Sequence, residues 1–349
     1  MKGPWIGRGK RLIGAVRDRL ASLRGTLPAL PGGARLWVGL ASLGFVLAAL
    51  LAQARAMAQL ALEAQGWAWL ALGVGVSLFS LVANGLAWVV ALRWLGHAPR
   101  PWATVLLYLR SNLRKYLPGG IWHLSERITV LRQGGVACPV PLPTHRAVLA
   151  VLLEPVLMAA AALALVPLGL LAQGPGSLRG SDLLSLAALL PLVALAPRWF
   201  EPLMGRLERR RAAQLVPGEG APGGIPGPPA LPGYPLAPLL AEGVFVLLRF
   251  AGFACCVLAF DQQQSLGWGA WLSGFALAWT VGLVVPGAPG GFGVFEATLL
   301  LRLGADLPAA PLLAVALSYR LVTVAADLVA AATARVDQRW LAAVERRVP

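Results

Sequence analysis

Apolar runs of about 20 residues, the length that crosses a bilayer as a helix, recur along the chain between short charged segments. Residues 268–303 and 102–125 are also largely apolar, but each is interrupted by proline and glycine. We therefore predict an all-α, polytopic membrane helix bundle. The runs that predict full membrane spans are residues 36–54, 70–92, 147–171, 182–196, 238–260 and 309–331.

The two interrupted stretches resemble each other. One carries Pro286–Gly291 and the other carries Pro118–Gly120, and a glutamate follows each break, at Glu296 and Glu126. A membrane helix tolerates such a break only where protein or a water-filled cavity satisfies the freed backbone groups. Broken helices at bilayer depth often hold the substrate and ion sites of transporters.

Basic segments fix the predicted orientation. By the positive-inside rule they lie in the cytoplasm, which places both termini there in a multi-pass protein of the cell inner (plasma) membrane. Residues 268–303 then enter and leave at the external face, and 102–125 at the cytoplasmic face. The charged segment 126–146 that follows is predicted to be a cytoplasmic loop. Two opposed re-entrant hairpins predict an inverted repeat whose tips meet around a polar pocket near the midplane. The alternative is that each broken stretch crosses the bilayer completely.

The same pattern divides the chain into five parts. A Pro/Gly-rich stretch without a period is typical of a linker, and it separates two membrane halves. The predicted parts are a basic cytoplasmic arm (1–35), a first membrane half (36–198), a cytoplasmic Pro/Gly-rich loop (199–237), a second membrane half (238–334) and a basic cytoplasmic tail (335–349).

Composition agrees with the pattern. Hydrophobic residues make up 58% of the 349 residues and mean hydropathy is +0.70, whereas a soluble domain is about 45–50% apolar. The net charge of +15 lies in loops and tails without an aromatic-basic recognition motif, so we expect no nucleic-acid partner. The sequence lacks nucleotide-binding, nucleophile-elbow and metal-ligand motifs, so we expect neither an enzyme nor a cofactor.

The candidate substrate-binding residues are of three kinds. Glycines beside the breaks expose backbone amides that bind phosphate at a helix N-terminus. Intramembrane cations are costly and bind an anion, pair, or extend to the interface. The glutamates either line a proton or headgroup site or cap the positive helix ends, and a histidine titrates near neutral pH. The set is Arg110, Arg114, Lys115, Gly119, Gly120, His123, Glu126, Glu154, Arg249, Gly290, Gly291, Gly293, Glu296 and Arg320.

The segments Lys115–His123, with its Pro-Gly-Gly-Ile-Trp-His, and Pro289–Glu296 resemble the membrane region of the lysylphosphatidylglycerol synthase/flippase family, including its stand-alone members. The resemblance covers residues 36–335. It implies a protein that moves a phospholipid between leaflets. The acyltransferase-like domain that makes the lipid in bifunctional members has no counterpart here, so we expect no synthase activity.

We therefore expect a transporter or flippase for a phospholipid, anionic or aminoacylated, or for a lipid-linked polar headgroup. The alternative function is a non-transporting membrane partner that presents lipid to a separate enzyme. The sequence does not decide the oligomeric state, and a homodimer is compatible with it.

Overall fold

The computed structural model describes residues 63–116, 121–172, 180–215, 231–285, 291 and 293–345. These residues form helices and connections without a strand, which confirms the predicted all-α class. The predicted span 36–54, the basic arm 1–35 and the candidate glycines Gly119, Gly120 and Gly290 lie outside this part of the chain.

Ten α-helices follow one another in the described residues. They are α1 (Ala64–Trp94), α2 (Pro101–Asn112), α3 (Trp122–Gln133), α4 (Thr144–Leu171), α5 (Leu190–Ala194), α6 (Pro197–Leu215), α7 (Leu236–Ala259), α8 (Trp268–Val284), α9 (Val294–Leu303) and α10 (Ala309–Glu345). The 3₁₀ helix Leu113–Tyr116 continues α2, and the 3₁₀ helix Gly180–Leu189 precedes α5.

Among the described residues, four helices are long and apolar enough to cross a membrane: α1, α4, α7 and the Ala309–Asp337 part of α10. They match the predicted spans 70–92, 147–171, 238–260 and 309–331. The chain is therefore a polytopic membrane protein with a helical bundle. Helix α8 is apolar but, at 17 residues, only about 25 Å long, so it does not span the about 30 Å hydrocarbon core by itself.

One predicted loop was wrong. The loop predicted at 126–146 instead begins with helix α3, because Ile128 and Leu131 are buried against α4. The cytoplasmic segments predicted to begin at 199 and 335 are helical at first, as α6 and the end of α10.

The predicted span 182–196 is not a straight helix. It is a 3₁₀ helix followed by the short α5, and the chain then bends by 83° into α6. Pro191 and Pro197 stand on either side of the bend, and proline removes backbone N–H donors that would continue a helix. Phe200, just after the bend, is fully buried, so packing of α6 against the bundle also favours the turn.

Small residues bring the central helices together. Helices α1 and α7 pack along their length, and a Cβ added to Gly252 would lie 2.6 Å from the Ser77 hydroxyl. Close approach at small residues is the usual basis of helix association in a membrane, where lipid offers no hydrophobic driving force. The same holds between α4 and α8, where a Cβ on Gly169 would lie 2.6 Å from the Gly269 carbonyl oxygen.

Both broken stretches are antiparallel helical hairpins. In the first hairpin, α2 and α3, the Arg100 amide donates to the Ala137 carbonyl (2.9 Å), so the chain returns to the edge from which it started. In the second, α8 and α9, Gly274 lies against Leu303 while Gly282 lies against Gly291. The re-entrant placement of the hairpins in a bilayer and the inverted repeat stay predictions.

Helix α10 contacts both hairpins as well as α1 and α7. An aromatic cluster packs its middle against α7, α8 and α9, with ring centroids 5.0–6.2 Å apart. Its members are Phe253, Phe275, Phe295 and Tyr319. Because Glu296 and Arg320 directly follow two of these rings in sequence, the cluster fixes where their backbones lie.

Candidate functional site

Two opposite charges on α10 bind the tips of the two hairpins. The tips are the described residues beside each break: 112–116 in the first hairpin, and 291 and 293–296 in the second. Arg320 and Asp327 lie on either side of Thr323, the middle of the 29-residue apolar stretch Ala309–Asp337. Seven residues separate them, which is about two turns and 10.5 Å along one helix face. The described residues beside the two breaks therefore attach to α10 about two helical turns apart, and the meeting of the tips near the midplane stays a prediction. The polar pocket between them stays a prediction.

Asp327 binds the tip of the first hairpin. Lys115 Nζ lies 2.7 Å from its carboxylate, Asn112 Nδ2 donates at 2.8 Å and Tyr116 Oη donates at 2.5 Å. The aspartate is only 1% exposed, and a buried charge is tolerated when it is paired and hydrogen-bonded. Three donors from the first half of the chain therefore satisfy a carboxylate of the second half. Asp327 is absent from the candidate set.

Arg320 binds the tip of the second hairpin. Its Nε donates to Glu296 Oε1 (2.8 Å) and its Nη2 donates to the Gly291 carbonyl (2.5 Å). The other Glu296 oxygen accepts the Gly293 amide (2.8 Å) at the start of α9, as an acidic residue at a helix N-terminus does. Glu296 is thus a helix cap and an ion-pair partner at once.

The glycines of this tip meet two separate needs. Gly291 and Gly293 have φ values of 73° and 80°, in the left-handed region that other residues seldom adopt. A Cβ on Gly291 would also lie 2.9 Å from the Gly282 carbonyl oxygen. The second hairpin can therefore close only with glycine at this position.

Glu126 does not cap its helix. It is the fifth residue of α3, and it pairs across the first hairpin with Arg110 (3.5 Å) and Arg114 (3.2 Å). The capping interpretation, which holds for Glu296, is wrong for Glu126. Arg114 is about half exposed, so solvent screens this pair and its contribution to stability is small.

Arg249 is a buried cation without a carboxylate partner in the part of the chain that the structure describes. It lies near the middle of α7 and is 5% exposed. Among the described residues its Nε and Nη1 have no hydrogen-bond partner, and its guanidinium lies 5.5 Å from the Phe245 ring centroid. It interacts electrostatically with Lys115, Tyr116 and Tyr319. Arg249 therefore adds an uncompensated positive charge beside the two tips.

A second buried polar cluster contains Glu154 and lies apart from the tips. Arg127 Nη1 donates to Glu154 Oε2 (2.7 Å), and Tyr108 Oη donates to Oε1 (2.6 Å). The Arg127 guanidinium also stacks 3.8 Å from the Tyr108 ring centroid. Both oxygens of Glu154 are thus already bound within the protein, and Glu154 does not join the residues around Arg249.

Arg127 is missing from the candidate set because its segment was predicted to be a loop. A signal was present: Leu124, Ile128 and Leu131 recur at helical spacing, and Arg127 lies on the same face.

His123, in the first turn of α3, is half-buried. Its Nδ1 has no hydrogen-bond partner in the described part of the chain, and it interacts electrostatically with Arg127 and Lys115.

The structure thus brings together Lys115, Arg249, Gly291, Gly293, Glu296 and Arg320, and it adds Asp327 to them. Within the described ranges, no group of three or more His, Cys, Asp or Glu side chains is placed to hold a metal ion. The chain matches no protein-family model and no curated protein. The family resemblance therefore stays a prediction.

Proposed function

We propose that this protein binds the phosphate of an anionic phospholipid headgroup at Arg249, beside the two hairpin tips, and moves the headgroup between leaflets. One observation carries the proposal: Arg249 is buried in a membrane helix, and two of its guanidinium nitrogens have no partner among the described residues. An unpaired cation at this depth is costly, and such residues usually face a substrate or ion path.

The neighbouring carboxylates do not neutralise Arg249. Asp327 is held by Lys115, Asn112 and Tyr116, and Glu296 is held by Arg320 and the Gly293 amide. A phosphate supplies both the missing negative charge and several acceptor oxygens, and charge-assisted bonds from Arg are among the strongest in proteins. The ligand class that fits the site best is therefore an anionic phosphate.

The tips offer a way for such a ligand to enter and leave. Both are attached to α10 by ion pairs that an incoming phosphate can replace, since it competes with Asp327 for Lys115 and with Glu296 for Arg320. Arg114, next to Lys115, is about half exposed, so cations extend from the surface towards Arg249. A fatty-acid tail stays in the surrounding lipid while the headgroup passes along these cations. This combination favours a lipid over a soluble anion.

The proposal is tested by reconstituting the full chain in vesicles that carry a fluorescent phosphatidylglycerol, its lysyl ester or phosphatidylcholine. A membrane-impermeant quencher reports movement of the labelled lipid to the outer leaflet. We expect the wild type to accelerate an anionic or lysylated lipid well above empty vesicles, and phosphatidylcholine much less. Arg249→Gln should abolish the acceleration.

Arg93→Gln is the matched control, because Arg93 is an exposed arginine at the end of α1. It should move lipid like the wild type. Lipid movement that does not distinguish Arg249→Gln from Arg93→Gln would refute the role of Arg249. Equal rates in wild-type and empty vesicles for all three lipids would refute lipid movement itself.

A further inference from the structure

Glu242 is a buried carboxyl group that the proposed lipid site does not use. It lies on α7, is 1% exposed, and neither of its oxygens has a hydrogen-bond partner among the described residues. An ionised carboxylate in such surroundings is far more costly than a neutral carboxylic acid, and the usual response of a buried acid is to bind a proton.

The charged and titratable groups around Glu242 come from several helices. Glu154 on α4, Arg127 on α3 and Tyr108 on α2 interact with it electrostatically. Helix α1, which packs against α7, carries Arg93 in its last turn as its only charged residue, and α8 has none. The charges in the middle of α10, Arg320 and Asp327, belong to the hairpin-tip site near Arg249, which lies seven residues further along α7.

Arg127 is already balanced by another carboxylate. One of its nitrogens binds Glu154, and its Nε donates to the Ser111 hydroxyl (2.9 Å). Its remaining nitrogen, Nη2, is buried and has no partner within the described residues. The cluster thus contains one unused donor on Arg127 and two unused acceptors on Glu242, within electrostatic range of each other.

We propose that Glu242 is a proton-binding site: it is a neutral acid in this arrangement, and it can release its proton to water. The carboxylate that remains then accepts a hydrogen bond from Arg127 Nη2 and shares the guanidinium with Glu154. The proton is the ligand, and no other atom is gained or lost. The site does not depend on lipid movement, so it can be tested without any transport measurement.

The test is infrared difference spectroscopy of the purified full-length protein between neutral and alkaline pH. A protonated carboxyl group has a C=O stretching band that a carboxylate lacks. We expect a band from one protonated carboxyl group at neutral pH, its loss in Glu242→Gln, and a shifted band in Glu242→Asp. Glu63→Gln, which changes an exposed glutamate, should leave the band unchanged.

Three results would overturn the proposal. The first is a wild-type spectrum without a protonated carboxyl band at neutral pH, which decides the question even if Glu242→Gln does not fold. The second is a band that persists in folded Glu242→Gln, since the proton would then belong to another group. The third is a band that does not change between neutral and alkaline pH, because Glu242 would then hold its proton without releasing it.

Discussion

The pair between Lys115 and Asp327 joins the first hairpin to the last membrane helix, so removing it should loosen that hairpin. Asp327→Ala leaves Lys115 without its counter-charge and leaves Asn112 and Tyr116 without their shared acceptor. Lys115→Met leaves Asp327 with two of its three donors. We therefore expect the aspartate substitution to be the more damaging of the two.

The magnitude follows from burial. Removing one member of a buried pair costs about 3–5 kcal/mol in the free energy of unfolding. The Lys115 side chain is 25% exposed while the Asp327 side chain is fully buried, so partial hydration favours the lower end, about 3 kcal/mol for Asp327→Ala. For Lys115→Met we expect about 2 kcal/mol, the loss of one hydrogen bond to a charged group. A double-mutant cycle should then give a coupling of about 2 kcal/mol.

Equilibrium unfolding in mixed detergent micelles measures the four proteins of this cycle. The control is a second cycle on Arg114 and Glu126, a pair on the same hairpin in which the arginine is about half exposed. Solvent screening should hold that coupling below about 1 kcal/mol. A Lys115–Asp327 coupling no larger than the control would refute the view that this pair fastens the hairpin to α10.

Two further predictions concern a glycine and a histidine. Gly291→Ala should destabilise the protein by more than about 1–2 kcal/mol, the cost of a left-handed backbone alone, because the new Cβ also meets the Gly282 carbonyl. In thermal unfolding, the control Gly75→Ala should be at least as stable as the wild type, because its Cβ meets nothing and alanine favours a helix interior. Burial, and then the charge of Arg146, lower the pKa of His97 in the loop after α1. The unfolded chain therefore binds the His97 proton more tightly than the folded protein does. The free energy of unfolding should consequently fall as the pH drops below about 6.5. Melting curves should show that His97→Gln loses part of this pH dependence, and an unchanged slope would contradict the assignment.

The long apolar helices, the breaks in the hairpins and the cap at Glu296 could be predicted because each depends on residues that are neighbours in the sequence. Four apolar runs are membrane-length helices because a bilayer forces each run to satisfy its backbone groups internally, and even Pro155 and Pro167 do not end α4. The hairpin turns were predictable for the opposite reason, since proline and glycine remove the donors and the stiffness that a continuous helix needs. The cap at Glu296 also follows from sequence, because its partner Gly293 is three residues away.

Helix α3 shows where the same reasoning fails. Glu126, Arg127 and Arg132 within a few residues indicated a solvated loop, yet Arg127 is 1% exposed. The charge is buried because Glu154, on another helix, neutralises it. Asp327 was underestimated for a similar reason, since its hydrogen-bond partners Asn112 and Tyr116 lie 215 and 211 residues away. Pairs of this kind depend on tertiary contacts that a single sequence does not reveal.

The two proposed sites share one helix, and their charges are related. Glu242 and Arg249 are seven residues apart on α7, about 10.5 Å along the axis, too far for a direct ion pair. At an effective dielectric constant of about 20, their attraction at that distance is only about 1.6 kcal/mol, less than the several kcal/mol that each buried ion costs. We therefore expect each group to bind its own partner: a proton for Glu242 and an anion for Arg249.

If both proposals hold, the ligands compensate each other. With neither ligand bound, an ionised Glu242 and Arg249 give α7 no net charge from these two groups. With a singly charged headgroup on Arg249 and a proton on Glu242, the net charge is again zero. With a proton on Glu242 and no headgroup bound, Arg249 is left as an unbalanced positive charge within the bilayer, which is costly and which an anionic headgroup relieves. Protonation of Glu242 should therefore strengthen the binding of a singly charged anionic headgroup at Arg249.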